Sequence, residues 1–347
     1  MSKKNPLHPA PFLIAEVSAN HNGSLKHAKE LIKTAKKFGA NAIKLQTYTA
    51  DTMTIKSNRD EFKIKKGIWK GQTLWDLYNK AQTPFEWHKE LFSYAKKLKI
   101  NCFSTPFDET AVDLLEKLNC PIYKVASFEM NHIPLIKKIS KTKKPIIIST
   151  GMANLKEIDL AYETAKKNGA KDITLLYCVS NYPSKISDFN LNNIKILKSR
   201  FDCKIGFSDH SNNNKVAIAA TLVGAEVFEK HIALEGQKKG YDIDFSLRGA
   251  EIRKYKKDIV EAYKMLGKKT FFRNKSESLS HQFRRSIYAI KDIKKGEAFN
   301  NQNIKVIRPG IGLQPIFFEK LLKKKSPLNI LRATPLKKQI LKKLNII

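Results

Sequence analysis

Apolar residues gather along this chain in short runs of strand length, separated by stretches in which they recur every three or four positions. The runs are FLIAEVSA (12–19), AIKLQTY (42–48), NCFSTPF (101–107), IYKVAS (122–127), PIIIST (145–150), ITLLYC (173–178), KIGFSDH (204–210) and EVFEKHI (226–232). Between them lie amphipathic stretches. In SLKHAKELIKTAKKFG, Leu25, Ala28, Leu31, Ile32 and Ala35 fall at helical spacing, with Ser24 as N-cap and Gly39 at the C-terminal end. Further helices are predicted over 84–98, 108–118, 154–168, 188–199, 213–223 and 247–266. Near-continuous apolar strands fit a parallel sheet buried on both faces. Eight strand–helix units in about 265 residues predict a (β/α)8 TIM barrel.

Two segments break the rhythm. Residues 50–83 are too long for an ordinary connection and carry Phe62, Trp69, Trp75 and Tyr78. They read as a lid-like insertion after the second strand. Beyond about residue 270 the alternation stops, and short strands with turn signals follow. The expected organisation is a catalytic barrel over 1–267, a linker over 268–281 and a small second domain over 282–347.

Charge changes the picture less than its size suggests. The formal net charge is +33, from 65 basic and 32 acidic residues. Nine of the basic residues are arginine, and the lysines are spread along almost every predicted helix. Base readers concentrate arginine forks and aromatics on one face, and no such stripe is visible. A basic nucleic-acid-binding protein is therefore the remote alternative, and no nucleic-acid partner is expected. The surface still favours anionic metabolites. Cys102, Cys120, Cys178 and Cys203 form no CxxC pair and read as reduced core thiols. No apolar run approaches the ~20 residues of a membrane span. No signal-peptide core follows the basic start, so a soluble cytoplasmic protein with no membrane partner is expected.

In such barrels the chemistry sits at the C-terminal ends of the strands. Those ends carry Glu16, Asn20 and His21; Lys44 and Gln46; Ser104 and Thr105; Lys124, Ser127 and Glu129; Ser149 and Thr150; Ser180, Asn181 and Tyr182; Ser208, Asp209 and His210; Glu229 and His231. His210 and His231 end neighbouring strands, where two imidazoles with open positions for oxygen ligands suit a divalent Lewis acid. Lys44, Lys124, Thr105, Ser127, Ser149 and Ser208 converge as an anion cradle, most naturally for phosphate. Glu16 and Glu129 would each be a general base, a sugar-hydroxyl acceptor or a lysine partner.

The ordered stretches AEVSANHNGS, IKLQTYTADTMTI, FSTPFD, YKVASFE, ISTGMA, GFSDHS and FEKHIAL resemble motifs of the sialic acid synthase family. Members condense phosphoenolpyruvate with an amino-sugar aldehyde, and pair a TIM barrel with a small antifreeze-like (SAF) β-clip domain. SIYAIKDIKKGE and IRPGIGLQP extend the likeness into the second domain. The resemblance implies that His210 and His231 hold a metal, usually Mn2+, with Mg2+ or Co2+ as alternatives. It implies that Lys44, Thr105, Lys124, Ser127, Ser149 and Ser208 bind phosphoenolpyruvate, and that Glu16 orients or deprotonates the attacking water. It assigns Gln46, Glu129, Tyr182, Asp242 and Arg308 to the sugar. It also makes Arg308 reach a partner subunit's barrel, which implies a domain-swapped homodimer. The segment FKIKKGIWKGQTLWDLYNKAQTPFEWHKELF looks like that of the pseudaminate branch, whose sugar is 2,4-diacetamido-2,4,6-trideoxy-L-altropyranose. The legionaminate and N-acetylneuraminate branches are the alternatives. Tyr177 and Ser180 depart from the His and Asn typical of the N-acetylneuraminate branch.

Overall fold

A computed structural model describes residue 7 and residues 9–66, 69–181, 183–271 and 274–347. The chain forms two compact units, Met1–Gly267 and Lys268–Ile347.

Among the described residues, the barrel of the first unit is formed by eight parallel strands: β1 (Phe12–Glu16), β2 (Ala42–Thr47), β3 (Asn101–Pro106), β4 (Tyr123–Val125), β5 (Ile146–Ser149), β6 (Ile173–Cys178), β7 (Lys204–Asp209) and β8 (Val227–Ala233). They pair in chain order, and β1 pairs with β8 to close the barrel. Closure removes the sheet edges. Around it run α1 (Leu25–Lys37), α2 (Ala50–Met53), α3 (Leu74–Ala81), α4 (Phe85–Lys97), α5 (Glu109–Lys117), α6 (Ile133–Lys141), α7 (Leu155–Lys167), α8 (Asn192–Arg200), α9 (Asn214–Leu222) and α10 (Ala250–Leu266). A two-residue strand, β9 (Leu247–Arg248), extends β8 at the rim.

The expected barrel is therefore present, and local chemistry explains its parts. In α1 the Ser24 hydroxyl caps the His27 N–H, and Ala28, Leu31, Ile32 and Ala35 are buried. Gly39 just beyond it has φ +91°, the left-handed conformation that ends a helix. One barrel helix, α6, lies outside the predicted set. It buries Leu135, Ile136 and Ile139 over nine residues, and no side chain caps its start. That is too short and too weakly punctuated to stand out from IPLIKKISK. Segment 50–83 folds into α2, a 3-10 turn at Asp60–Phe62 and α3. Lys63 and Thr73 form an antiparallel bridge across it.

Gly206 permits the close approach of β7 to β8, since a Cβ there would lie 2.2 Å from the Val227 carbonyl oxygen. That approach brings the polar ends of the two strands together.

The second unit has an antiparallel pair, β10 (Ser286–Ala289) with β11 (Ile304–Ile307), and two short helices, α11 (Phe318–Leu321) and α12 (Lys338–Lys343). Its core is built on Ile287, Ile293, Phe299, Ile304, Leu336 and Leu341.

Candidate active site

The C-terminal mouth of the barrel opens on a cavity of about 490 Å³, in the range of small-molecule sites. Strand alternation sorts the side chains. At the end of β7, Ser208 and the next-but-one residue His210, just past the strand, line the cavity, while Asp209 between them does not. On β8, Glu229 and His231 line it, while Lys230 does not.

At the floor, Lys44 pairs with Glu16 at 2.6 Å and lies 3.8 Å from Glu229. Lys124 lies 3.6 Å from the other oxygen of Glu229. All four groups are buried. Burial raises the Glu229 carboxyl, but Lys124 and Lys44 outweigh it and hold Glu229 down at about 2. Glu16 moves the other way: burial raises it, and the nearby Glu229 charge adds to the effect. Glu16 is thus the carboxyl of this quartet with raised proton affinity. Lys124 is lowered, chiefly by burial. Two cations held by shared acids, beside the unpartnered Ser149 hydroxyl, form a site prepared for an anion.

Thr105 stands one layer back. It does not line the cavity; its hydroxyl accepts a 3.0 Å bond from Lys44 and positions that ammonium. Ser208 donates to Glu229 at 3.3 Å. The Ser127 hydroxyl accepts from the Gly151 N–H at 3.2 Å. Ser127 also lies 3.1 Å from the Cys178 sulfur. Gly151 lets these side chains approach its backbone, because a Cβ there would lie 2.1 Å from the Ser180 hydroxyl and force it to move.

Along one side, the His210 and His231 ring centroids are 5.6 Å apart. His210 Nδ1 donates to the Val179 carbonyl at 3.0 Å, which leaves the lone pair on Nε2. Burial, then His231, lowers His210 to about 3, so it is neutral at physiological pH. His231 Nδ1 lies 3.5 Å from Asp242. Burial would raise Asp242, but the neighbouring His231 imidazole outweighs it and holds it low. A neutral imidazole oriented through its far nitrogen is the usual form of a metal ligand. Among the described residues no set of three or more His, Cys, Asp or Glu groups is placed to hold an ion. The two imidazoles would supply two nitrogens to a divalent cation, with oxygen ligands needed to complete its shell.

The cavity lining also includes apolar and aromatic groups: Tyr48, Phe107, Tyr241, and from segment 50–83 Trp69, Leu77 and Tyr78. Gln46 donates to Glu16 and Ser18, each at 3.1 Å. Glu129 is pushed up to about 7, mainly by burial. Its Oε2, like the Trp69 indole N–H, is buried without a partner. Tyr182 lies outside the described residues. Arg308 belongs to the second unit, where it is exposed.

Two strand-end groups prove structural. Asn20 bonds the Ile232 carbonyl, Ser246 and the Asp242 N–H, tying the first and last strand loops together. His21 accepts from the Gly23 N–H at 3.1 Å and contacts Thr83 at 3.2 Å. Conversely, Glu229 had no role assigned from sequence. The signal for it was its place two residues before His231, on the same face of β8.

Comparison with known proteins shows the family of the chain. The model of the NeuB family matches residues 31–271. The chain belongs to the NeuB family. An SAF-domain model matches residues 284–341. Pseudaminic acid synthase of Campylobacter jejuni is 42% identical over 92% of this chain and 93% of its own. N,N'-diacetyllegionaminic acid synthase of the same species is 38% identical over 90% and 95%. The solved N-acetylneuraminic acid synthetase of Leptospira borgpetersenii, bound to citrate, superposes with a TM-score of 0.71 at 30% identity, covering 79% of this chain and 90% of that one. No described helix is long and apolar enough to cross a membrane.

Proposed function

We propose that this NeuB-family enzyme condenses phosphoenolpyruvate with the open-chain form of 2,4-diacetamido-2,4,6-trideoxy-L-altropyranose. The products are a nine-carbon nonulosonic acid and phosphate, as in a pseudaminic acid synthase. The observation that carries this reading is that one cavity is lined together by buried ammonium and hydroxyl groups, an imidazole pair, and aromatic groups of segment 50–83. The identity to pseudaminic acid synthase, 42% against 38% for the legionaminic enzyme, supports the branch.

Lys44 and Lys124, with Ser127, Ser149 and Ser208, hold the phosphate and stabilise it as charge develops. Thr105 fixes Lys44. A divalent ion at His210 and His231, Mn2+ in this proposal, supplies Lewis acidity and a template toward the sugar aldehyde. C3 of phosphoenolpyruvate bonds to the aldehyde carbon, and cationic character appears at C2. Water adds to C2, and one of its protons passes by way of Glu16 to the former aldehyde oxygen. The bond from C2 to the phosphate oxygen then breaks as the C2 hydroxyl proton passes to the departing phosphate, leaving a ketone and inorganic phosphate. Gln46, Glu129, Asp242 and Tyr182 are assigned to the sugar. Arg308 is assigned to the barrel of a partner subunit in a domain-swapped, cytoplasmic homodimer.

The test is phosphate release from phosphoenolpyruvate with Mn2+, offering the altrose-derived sugar, the legionaminic precursor and N-acetylmannosamine separately. Release only with the first supports the proposal. Release only with another moves the chain to that branch, and release with none overturns the chemistry. His210→Ala should abolish turnover with the fold retained; Mn2+-dependent activity surviving in that variant would remove the histidine from its role.

A further inference from the structure

The ladder between β7 and β8 stops one rung short of the histidine pair. Its last register partners are Asp209 and Lys230, so His210 and His231 would form the next rung, beyond the end of β7. Something other than strand pairing must fix their separation. Lys230 is 2% exposed and turned away from the cavity. Its ammonium donates to the Asp209 carbonyl at 3.0 Å and also to the Ser211 carbonyl. These are the two carbonyls that flank His210. The ammonium sits on the residue immediately before His231, so it links the backbone around one histidine to the strand that carries the other.

The cation is itself held in place. The Asp209 carboxylate lies 3.6 Å from it, accepts the Ser211 N–H at 2.8 Å and accepts the Tyr255 hydroxyl of α10 at 3.0 Å. Asp209 and Tyr255 are fully buried. An ion pair this deep is a poor way to gain stability, because desolvating both charges offsets much of their attraction. Its particular contribution is geometric.

We propose that Lys230, paired with Asp209, is a positioning residue that sets the spacing of His210 and His231 and thereby the affinity for a divalent ion. This rests on the two-histidine metal reading above. Groups that orient metal ligands from behind typically carry a factor of about 10 to 100 in affinity.

The test is Mn2+ titration of the full chain without substrates, read by the electron paramagnetic resonance of free Mn2+. The double variant Asp209→Asn/Lys230→Met removes the clasp without stranding a buried charge. It should bind Mn2+ about tenfold or more weakly, while metal-free affinity for phosphoenolpyruvate stays as in the wild type. Tyr255→Phe, which loosens the same cluster without touching either carbonyl, should stay within about threefold of wild type, a change smaller than one hydrogen bond's typical worth. Wild-type Mn2+ affinity in a folded double variant overturns the proposal. So does an equal loss in Tyr255→Phe, or an equal loss of phosphoenolpyruvate affinity, because either would make the effect a general loosening. Should the double variant fail to fold, Asp209→Asn/Lys230→Gln takes its place, with a weakening smaller than tenfold expected and wild-type affinity again fatal. If the wild-type chain binds no divalent ion, the metal reading falls and takes the clasp with it. Tight wild-type binding with an unchanged variant sinks the clasp alone.

Discussion

Replacing Glu229 by glutamine removes the acid that holds both floor lysines, with little change of shape. Its carboxylate lies 3.6 Å from Lys124 and 3.8 Å from Lys44, and the residue is 5% exposed. At these separations, with an effective permittivity of about 20, each pair is worth roughly 4 kcal/mol. Burial and the neighbouring Lys44 charge both favour neutral Lys124, and Glu229 opposes them. Losing ~4 kcal/mol of that opposition shifts the Lys124 proton equilibrium by about three powers of ten. The sign follows: an ammonium that loses its acid partner gives up its proton at lower pH, and a neutral amine no longer attracts phosphate. In Glu229→Gln, KM for phosphoenolpyruvate should therefore climb from pH 6 to 9 by roughly tenfold or more, well beyond the change in the wild type, with the sugar's KM much less affected. At pH 6 the variant should match or exceed the wild type, because Glu229 no longer competes with the incoming anion for Lys124. The assay is phosphate release against phosphoenolpyruvate concentration at each pH, with thermal melts to confirm folding. Parallel pH profiles for variant and wild type would refute the reasoning, whatever the absolute KM, and would mean that Glu229 does not control the charge of the lysines.

Three further outcomes are expected. Trp69→Phe deletes a buried, unpartnered indole N–H on the cavity wall; if it donates to an acetamido carbonyl, the sugar's KM should rise about 3- to 10-fold with that for phosphoenolpyruvate unchanged, and an unchanged sugar KM removes the contact. His21 is lowered to about 4, first by burial, and its Nδ1 already accepts the Gly23 N–H, so a proton there would break that bond. Because the unfolded chain takes up this proton below about 6.5 and the folded chain does not, stability should fall as pH drops from 6.5 to 4, by about 3 kcal/mol from this group. Urea melts of His21→Asn should show a shallower slope over that window, and an equal slope would assign the loss elsewhere. Ile287→Ala, at a fully buried position of the second unit, should cost about 2–4 kcal/mol; a melting profile like the wild type's would mean that the site collapses without a cavity.

What the sequence made legible follows from how each signal is encoded. The strands were readable because a parallel sheet covered on both faces demands runs such as Ile146, Ile147 and Ile148, and few other contexts do. The second unit has strands of four residues, supplemented by isolated bridges such as Ile293 to Ile330 and Ala298 to Lys325. Pairings that short leave almost no periodicity to read. At the site, the two-residue period of a strand carries far. With His210 and His231 facing inward, Ser208 and Glu229 must share the cavity, and Asp209 and Lys230 must face out. The period cannot say what an outward residue then meets. The Asp209 carboxylate finds Tyr255, 46 residues along the chain, and no local pattern links the two. Nor can it give depth. Thr105 shares a strand end with the site but lies behind Lys44, since tilted strands stagger their ends around a barrel. His21 shows a different limit. A histidine in a polar turn beside an active site has the composition of a ligand, and only its bonds to Gly23 and Thr83 identify it as a fastening of the loop. Sequence thus identifies which residues the barrel delivers to its mouth. The division between groups that touch substrate and groups that aim them, as Thr105 aims Lys44, is made by contacts across strands, and variants at the aiming positions are where the mechanism can be tested without removing it.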